Sequence, residues 1–306
     1  MMYGLLMVGF VFLIKGADFF VEGSSSLAKL LRVPTVIIGL TIVAMGTSAP
    51  EAAVSITAGL SGNNDIALGN IIGSNIFNLL VVVGVCALLK RFEPDKNIMK
   101  RDFLVSILAA VFLFIFLWNG TLSRIEGVVL LVGMAAYLFV TVRDAIRSRE
   151  EADDTIKTLA PWMSGLYILG GVAAVVFGGD MVVDNASLIA AKFGLSQNLI
   201  GLTIVAIGTS LPELVTSIVA AKKGESGLAL GNVIGSNLIN ILFILGMSSG
   251  LHAITASAES LIDVAVLIVM SVAMFLGCRM KGSMGKAGGA VSVLAYLCYT
   301  GYIICR

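Results

Sequence analysis

Glu51 and Glu213 stand at matched places in two apolar stretches of nearly the same sequence. GLTIVAMGTSAPE at 39–51 returns as GLTIVAIGTSLPE at 201–213, with 11 of 13 positions identical. GNIIGSNIFN at 69–78 returns as GNVIGSNLIN at 231–240. Both pairs are offset by 162 residues, so the spacing inside each copy is kept. A carboxylate at membrane depth costs about 2.5 kcal/mol or more. Two of them in equivalent places point to a cation that compensates both.

The neighbours of each glutamate supply the rest of such a site. Pro50 and Pro212 lack an N–H and crowd the carbonyl four residues back, which frees backbone oxygens near Gly46–Thr47 and Gly208–Thr209. A freed carbonyl inside a bilayer is tolerated where it lines a polar cavity or meets an ion. Carbonyl, hydroxyl and carboxylate oxygens then lie on one short segment, and these hard ligands suit Ca²⁺ and Na⁺. In the second motif Ser74 and Asn78 share one helix face, as do Ser236 and Asn240. Gly69 with Gly73, and Gly231 with Gly235, are small-residue pairs that let this helix approach a neighbour. Taken singly, such Ser, Thr and Asn groups serve as interhelical glue; the two glutamates, each behind a proline and beside hydroxyls, favour an ion site. Asp18 and Asp180, and Glu22 and Asp184, also repeat at 162 without the proline context. They read as gate or interface groups, with a Lys15–Asp18 pair as the plainer alternative.

The elements that must hold these residues are membrane helices. Of 306 residues 58% are hydrophobic and 13% charged, and the mean hydropathy of +1.00 leaves too few polar residues to cover a soluble domain of this size. Ten apolar runs are long enough to span a bilayer: 3–28, 34–59, 65–89, 102–118, 124–146, 162–190, 196–221, 227–250, 258–278 and 286–304. The fold class is therefore an all-α polytopic membrane protein. The polar break divides it into a first half at 1–147, a linker at 148–161 and a second half at 162–306. Five helices per half is an odd number, so the halves run in opposite directions as an inverted-topology repeat. With the N-terminus outside, inner loops hold 16 of the 20 Lys and Arg and outer segments hold 3, which places both termini outside and the linker in the cytoplasm.

Other features are quieter. MMYGLLMVGF has no basic region or small-residue cleavage site and reads as the start of a retained helix. Cys86, Cys278, Cys298 and Cys305 form no C-x-x-C pair and read as buried thiols. His252 is the only histidine, which excludes a histidine-built metal centre. No nucleophile–histidine pairing, H-E-x-x-H or G-x-S-x-G is present, so an enzyme is disfavoured. A net charge of +1 points to no nucleic-acid partner.

GTSAPE with GSNIFN, and GTSLPE with GSNLIN, closely resemble the two α-repeats of the calcium/cation antiporter superfamily, in its Na⁺/Ca²⁺ exchanger branch. The G-N-A-x pattern that precedes the glutamate in the H⁺-coupled branch is absent. The resemblance implies that Glu51 and Glu213 are shared ligands for Ca²⁺ and Na⁺, and that Thr47 and Thr209 give backbone carbonyls to Ca²⁺. It implies one flanking Na⁺ site from Ser48, Ser74 and the carbonyl of Ala44, another from Ser210, Ser236 and the carbonyl of Ala206, and a centre lined by Asn78 and Asn240. Several prokaryotic members and the K⁺-dependent exchangers carry Asp at the position of Asn240; the neutral residue argues against K⁺ dependence and leaves a central charge of −2 that Ca²⁺ neutralises. The expected activity is Na⁺/Ca²⁺ antiport in a prokaryotic plasma membrane, with no cofactor, the bilayer as surroundings and no obligatory oligomer. H⁺/Ca²⁺ exchange on the same fold, and a cation channel, remain as alternatives. Because protons and Ca²⁺ would want the same carboxylates, transport is expected to weaken at acid pH.

Overall fold

The structure, a computed structural model, describes residues 2–94, 98–147, 158–194 and 206–305. The first half contains α1 (Met2–Leu31), α2 (Thr35–Thr47), α3 (Ala49–Leu60), α4 (Asn64–Leu89), α5 (98–117) and α6 (Arg124–Arg147). The second contains α7 (Pro161–Lys192), the single turn α8 (Ala206–Gly208), α9 (Leu211–Lys223), α10 (Ser226–Leu251), α11 (Ala258–Lys281) and α12 (Lys286–Cys305). Among the described residues seven helices are long and apolar enough to cross a membrane, and α2 with α3, bent by 53°, make an eighth. The expected span at 102–118 begins with a π-helical turn at Ile98–Asp102. The one expected at 196–221 is described only from α8 onward, and most of the 148–161 linker lies outside the described residues.

Burial sorts the helices into two groups. Within their most apolar windows α10 is 94% and α4 78% buried, against 17% for α12 and 28% for α6. The helices that carry the G-S-N motifs thus form the centre, and apolar side chains of the outer helices face away from protein, as lipid-facing residues must. Two of the four cysteines break the sequence expectation: Cys86 and Cys278 are buried, but Cys298 and Cys305 are exposed on α12, the helix with the least buried face.

α1 and α7, which correspond at the 162-residue offset, pack against each other antiparallel. A Cβ on Gly9 would lie 3.0 Å from the carbonyl oxygen of Gly178, one on Gly16 3.0 Å from that of Gly171, and one on Gly23 2.9 Å from that of Ser164. Small residues every seventh position leave the two backbones in contact. Gly231 and Gly235 do the same for α10 against α2, where added Cβ atoms would meet the carbonyl oxygens of Val36 and Leu40 at 2.5 and 2.6 Å. The corresponding neighbours of Gly69 and Gly73 would fall at 198–206, almost wholly outside the described residues.

The loops repeat as well. β1 (Thr121–Leu122) pairs antiparallel with β2 (Ile254–Thr255), bringing Leu122 opposite Ile254. Phe92 pairs with Met284 in an isolated bridge. Phe92 and Ile254 are 162 residues apart, as are Leu122 and Met284. The same link therefore ties each central helix to the hairpin of the other half.

Candidate ion-binding site

Both glutamates occupy the first turn of a helix that starts at a break. Ser48, with φ −81° and ψ 9°, separates α2 from α3, and Ser210, with φ −92° and ψ 6°, precedes α9. Pro50 and Pro212 sit in the first turn, where a missing N–H costs nothing. The proline thus restarts the helix rather than merely kinking it. The positive end of the helix dipole falls on the carboxylate that follows.

Glu51 and Glu213 are 0% exposed. Each uses Oε1 to accept two hydroxyls, one from each half. Ser210 Oγ donates to Glu51 Oε1 at 3.0 Å and Ser74 Oγ at 3.4 Å. Ser48 Oγ donates to Glu213 Oε1 at 3.1 Å and Ser236 Oγ at 3.4 Å. The four serines are grouped by carboxylate as Ser210 with Ser74 and Ser48 with Ser236, so each break residue reaches the glutamate of the opposite half. Oε2 of both glutamates is buried without a hydrogen-bond partner.

The central asparagines complete the pattern. Asn78 Nδ2 donates to Asn237 Oδ1 at 3.2 Å, and Asn240 Nδ2 to Asn75 Oδ1 at 2.9 Å. Asn75 and Asn237, which correspond at the 162-residue offset, each donate to the other's backbone carbonyl at 3.2 Å. With Nδ2 engaged, Oδ1 of Asn78 and of Asn240 is fixed, buried and unpartnered. Asn78 opens a π-helical turn at Asn78–Val82 and Asn240 lies in another at Ile239–Leu245; such turns in α-helices recur at functional sites.

Asn70 and Asn232 hold the glutamate helices in place, and the motif reading did not single them out. Asn70 Nδ2 donates to Ser55 Oγ at 2.8 Å and to the carbonyl of Glu51 at 3.4 Å. Asn232 Nδ2 donates to Ser217 Oγ at 3.0 Å and to the carbonyl of Glu213 at 3.4 Å. Thr209 Oγ1 donates to Asn70 Oδ1 at 3.2 Å and Thr47 Oγ1 to Asn232 Oδ1 at 3.0 Å. The signal was in the repeat itself, because Asn70 and Ser55 recur as Asn232 and Ser217 at the same offset. The two ends differ in exposure: Thr47 and Asn232 are buried, while Thr209 and Asn70 are partly exposed.

Other expected residues are placed less simply. The carbonyl of Ala44 accepts the N–H of Ser48 at 3.0 Å and the hydroxyl of Thr47 at 3.4 Å. Ala206 begins the turn α8. Asp18 does not turn to Lys15: Lys223 Nζ pairs with Asp18 Oδ1 and lies 3.8 Å from Glu22 Oε2. The long Lys223 stem at the end of α9 crosses to α1, which an i to i+3 reading along one helix cannot anticipate.

Two carboxylate oxygens and two amide oxygens are thus left buried and unpartnered beside the hydroxyls of Ser48, Ser74, Ser210 and Ser236. That donor set is all oxygen and carries two negative charges, which fits Na⁺ and Ca²⁺ and not a soft metal.

The profile of the sodium/calcium exchanger protein family matches residues 1–143 and 163–305. CaxA of Alkalimonas amylolytica is 39% identical over 313 residues, covering 97% of this chain and 96% of its own. The sodium/calcium exchanger MaX1 of Methanosarcina acetivorans is 32% identical, covering 96% of both chains. A solved structure of the sodium-calcium exchanger NCX_Mj superposes with a TM-score of 0.87 at 34% identity, over 99% of this chain and 98% of that one.

Proposed function

The chain belongs to the sodium/calcium exchanger protein family, and from that premise we propose that it is a secondary antiporter that exchanges Na⁺ for Ca²⁺ and extrudes Ca²⁺ from the cell. It is a transporter and not an enzyme. The observation that carries the reading is the pair of fully buried glutamates whose Oε2 atoms, with Oδ1 of Asn78 and Asn240, have no partner. Glu51 and Glu213 serve both ions, which therefore bind in turn. Ser48, Ser74, Ser210 and Ser236, with the carbonyls of Ala44 and Ala206, flank them for Na⁺, and the carbonyls of Thr47 and Thr209 add to the Ca²⁺ shell.

The architecture behind it is ten helices in two inverted halves, 1–147 and 162–306, joined by a cytoplasmic linker. The antiparallel packing of the equivalent helices α1 and α7 supports the inversion. The distribution of Lys and Arg supports outer termini in a prokaryotic plasma membrane. In that orientation the partly exposed Asn70 and Thr209 face the outer side, while Lys223 joins α1 at the inner side. Thr47 and Asn232, on the cytoplasmic side in that orientation, are buried, which supports a state closed to the cytoplasm. Alternating access follows from α1 and α7 moving as a pair past the fixed cage. Asn240 keeps the centre at two negative charges, so no K⁺ is required. If the sodium charge carried exceeds two, each net charge crossing 100 mV contributes about 2.3 kcal/mol.

Ca²⁺ uptake into Na⁺-loaded proteoliposomes tests the proposal. Uptake should require an outward Na⁺ gradient and vanish in Glu51→Gln and Glu213→Gln. Uptake driven by a pH gradient without Na⁺ would replace Na⁺ coupling by H⁺ coupling. Ca²⁺ leakage with no counter-ion would indicate a channel.

A further inference from the structure

We propose that the groove beneath the α11–α12 hairpin binds an anionic phospholipid, with its phosphate on Arg91, Lys281 and Lys286 and an acyl chain along the apolar wall. The groove has a volume of about 840 Å³ and is lined by these three cations and, among the described residues, by no acidic one. Its wall includes Met270, Ala273, Gly277 and Val291. Ligand pockets range over roughly 300–1,000 Å³. Its ends match the two ends of a lipid: positive charge where the hairpin turns and apolar surface along the helices.

The cationic end is built rather than incidental. Phe92 and Met284 exchange backbone hydrogen bonds at 3.1 and 2.9 Å, which pins the chain after α4 to the hairpin. Arg91, next to this bridge, donates from Nε and Nη2 to Ser283 Oγ at 3.0 and 2.7 Å. Gly282, at φ +65°, caps α11 in the left-handed conformation and turns the chain between Lys281 and Lys286. Lys281 and Lys286 are exposed.

The pseudo-two-fold supplies an internal comparison. The same bridge recurs at the other end of the molecule as Leu122 and Ile254. There the positions equivalent to Arg91, Lys281 and Lys286 are Ala253, Asn119 and Arg124, each offset by 162 residues. The scaffold repeats but the charge does not: three cations stand at one end and one at the other. The positive-inside bias places cations at this end; what the groove adds is their convergence on one apolar cleft, and basic pockets between helices on the cytoplasmic side are a recurrent way to hold anionic headgroups. Placing the groove in the inner leaflet rests on the orientation proposed above; the binding itself does not.

Each Lys or Arg near an anionic lipid contributes about fivefold in affinity, so three give on the order of a hundredfold preference over a zwitterionic lipid. Native mass spectrometry of the detergent-purified full chain, titrated with phosphatidylglycerol or phosphatidylcholine, reads this directly. Phosphatidylglycerol adducts should form at far lower concentration, and Lys281→Gln with Lys286→Gln should cost roughly 25-fold. Neither lysine touches the cage, so Na⁺-driven Ca²⁺ uptake should persist in that variant and certify its fold. Adding Arg91→Gln should remove the remaining preference. Equal binding of the two lipids, or a preference that survives in the triple variant, would overturn the proposal. Displacement of the adduct by millimolar inorganic phosphate would assign the cations to a soluble anion instead, and a stable dimer masking the groove would assign it to a second copy.

Discussion

Ser210→Ala separates the two roles that the crossed hydroxyls could have. The hydroxyl of Ser210 donates to Glu51 Oε1 at 3.0 Å, and its removal leaves that oxygen with Ser74 at 3.4 Å. A hydrogen bond to a charged group is worth about 1.5–3 kcal/mol, or about 10- to 150-fold in a binding constant. If Ser210 belongs to a flanking Na⁺ site, that loss falls on Na⁺. Two flanking sites filled together share the loss in the half-saturating concentration as its square root, so the midpoint should rise about 3- to 12-fold. In the proposed site Ca²⁺ lies between both carboxylates and takes 6–8 oxygens in a pliable shell, so its apparent affinity should change only a few-fold.

The assay is Ca²⁺/Ca²⁺ exchange in Na⁺-free proteoliposomes, which reports Ca²⁺ affinity alone, followed by its inhibition by added Na⁺. In Ser210→Ala the inhibition curve should move to higher Na⁺ while the KM for Ca²⁺ stays nearly still. Ser48→Ala should behave alike through Glu213. A KM for Ca²⁺ that rises as far as the Na⁺ midpoint would mean that the serines only orient the carboxylates, and an unmoved Na⁺ curve would remove them from the Na⁺ sites.

Gly171→Ala should slow exchange at least about fivefold with little change in KM, because its Cβ would sit 2.6 Å from the backbone nitrogen of Phe20 and 2.8 Å from the carbonyl oxygen of Gly16; overpacking of this kind costs about 1–3 kcal/mol. Gly170→Ala, whose Cβ meets nothing within 4 Å, is the control, and equal rates in both variants would refute a moving α1–α7 pair. Lys223→Gln should shift the balance toward the inward-open state by no more than about fivefold, since a partly exposed ion pair is worth up to about 1 kcal/mol; cysteine accessibility near α9 measures it, and a shift that ignores salt would contradict an electrostatic latch. Acidification should weaken Ca²⁺ uptake, because a carboxylate that holds a proton cannot ligate the ion. Uptake that is flat from about pH 8 to about pH 5, near the ordinary glutamate value, would defeat the shared-carboxylate picture.

Much of this was legible in the chain because the ion site is written twice. The 162-residue offset marks Glu51, Ser48, Ser74 and Asn78 against Glu213, Ser210, Ser236 and Asn240; all eight are buried, the serines bonded to the carboxylates and the asparagines to Asn75 and Asn237. What periodicity could not reach is contact between segments. Nothing in 39–51 alone says that Ser48 would serve Glu213 rather than Glu51. The roles of Asn70 and Asn75 likewise depend on which helix lies opposite, and the partner of Asp18 depends on where α9 ends. The glycines of α1 were visible at 9, 16 and 23, but their meaning appears only once α7 lies antiparallel with its own small residues in register.

The cage also explains why such a protein should exchange ions rather than leak them. Each buried amide acceptor without a partner costs about 1–3 kcal/mol, so Oδ1 of Asn78 and Asn240 together disfavour an empty occluded state by about 2–6 kcal/mol, before the two carboxylates are considered. A charge of −2 sealed from water adds far more. A bound Ca²⁺, or bound Na⁺, removes those costs in the occluded state, whereas in either open state water does so. The barrier to passage is therefore high for the empty carrier and low for the loaded one. In the proposed Na⁺/Ca²⁺ exchange that ordering couples the two fluxes: after Ca²⁺ leaves on one side, the return is slow until Na⁺ takes the vacated oxygens. Coupling in this account needs no signal between distant sites. In the proposed exchange it follows from four unpartnered oxygens in a carrier that opens to one side at a time.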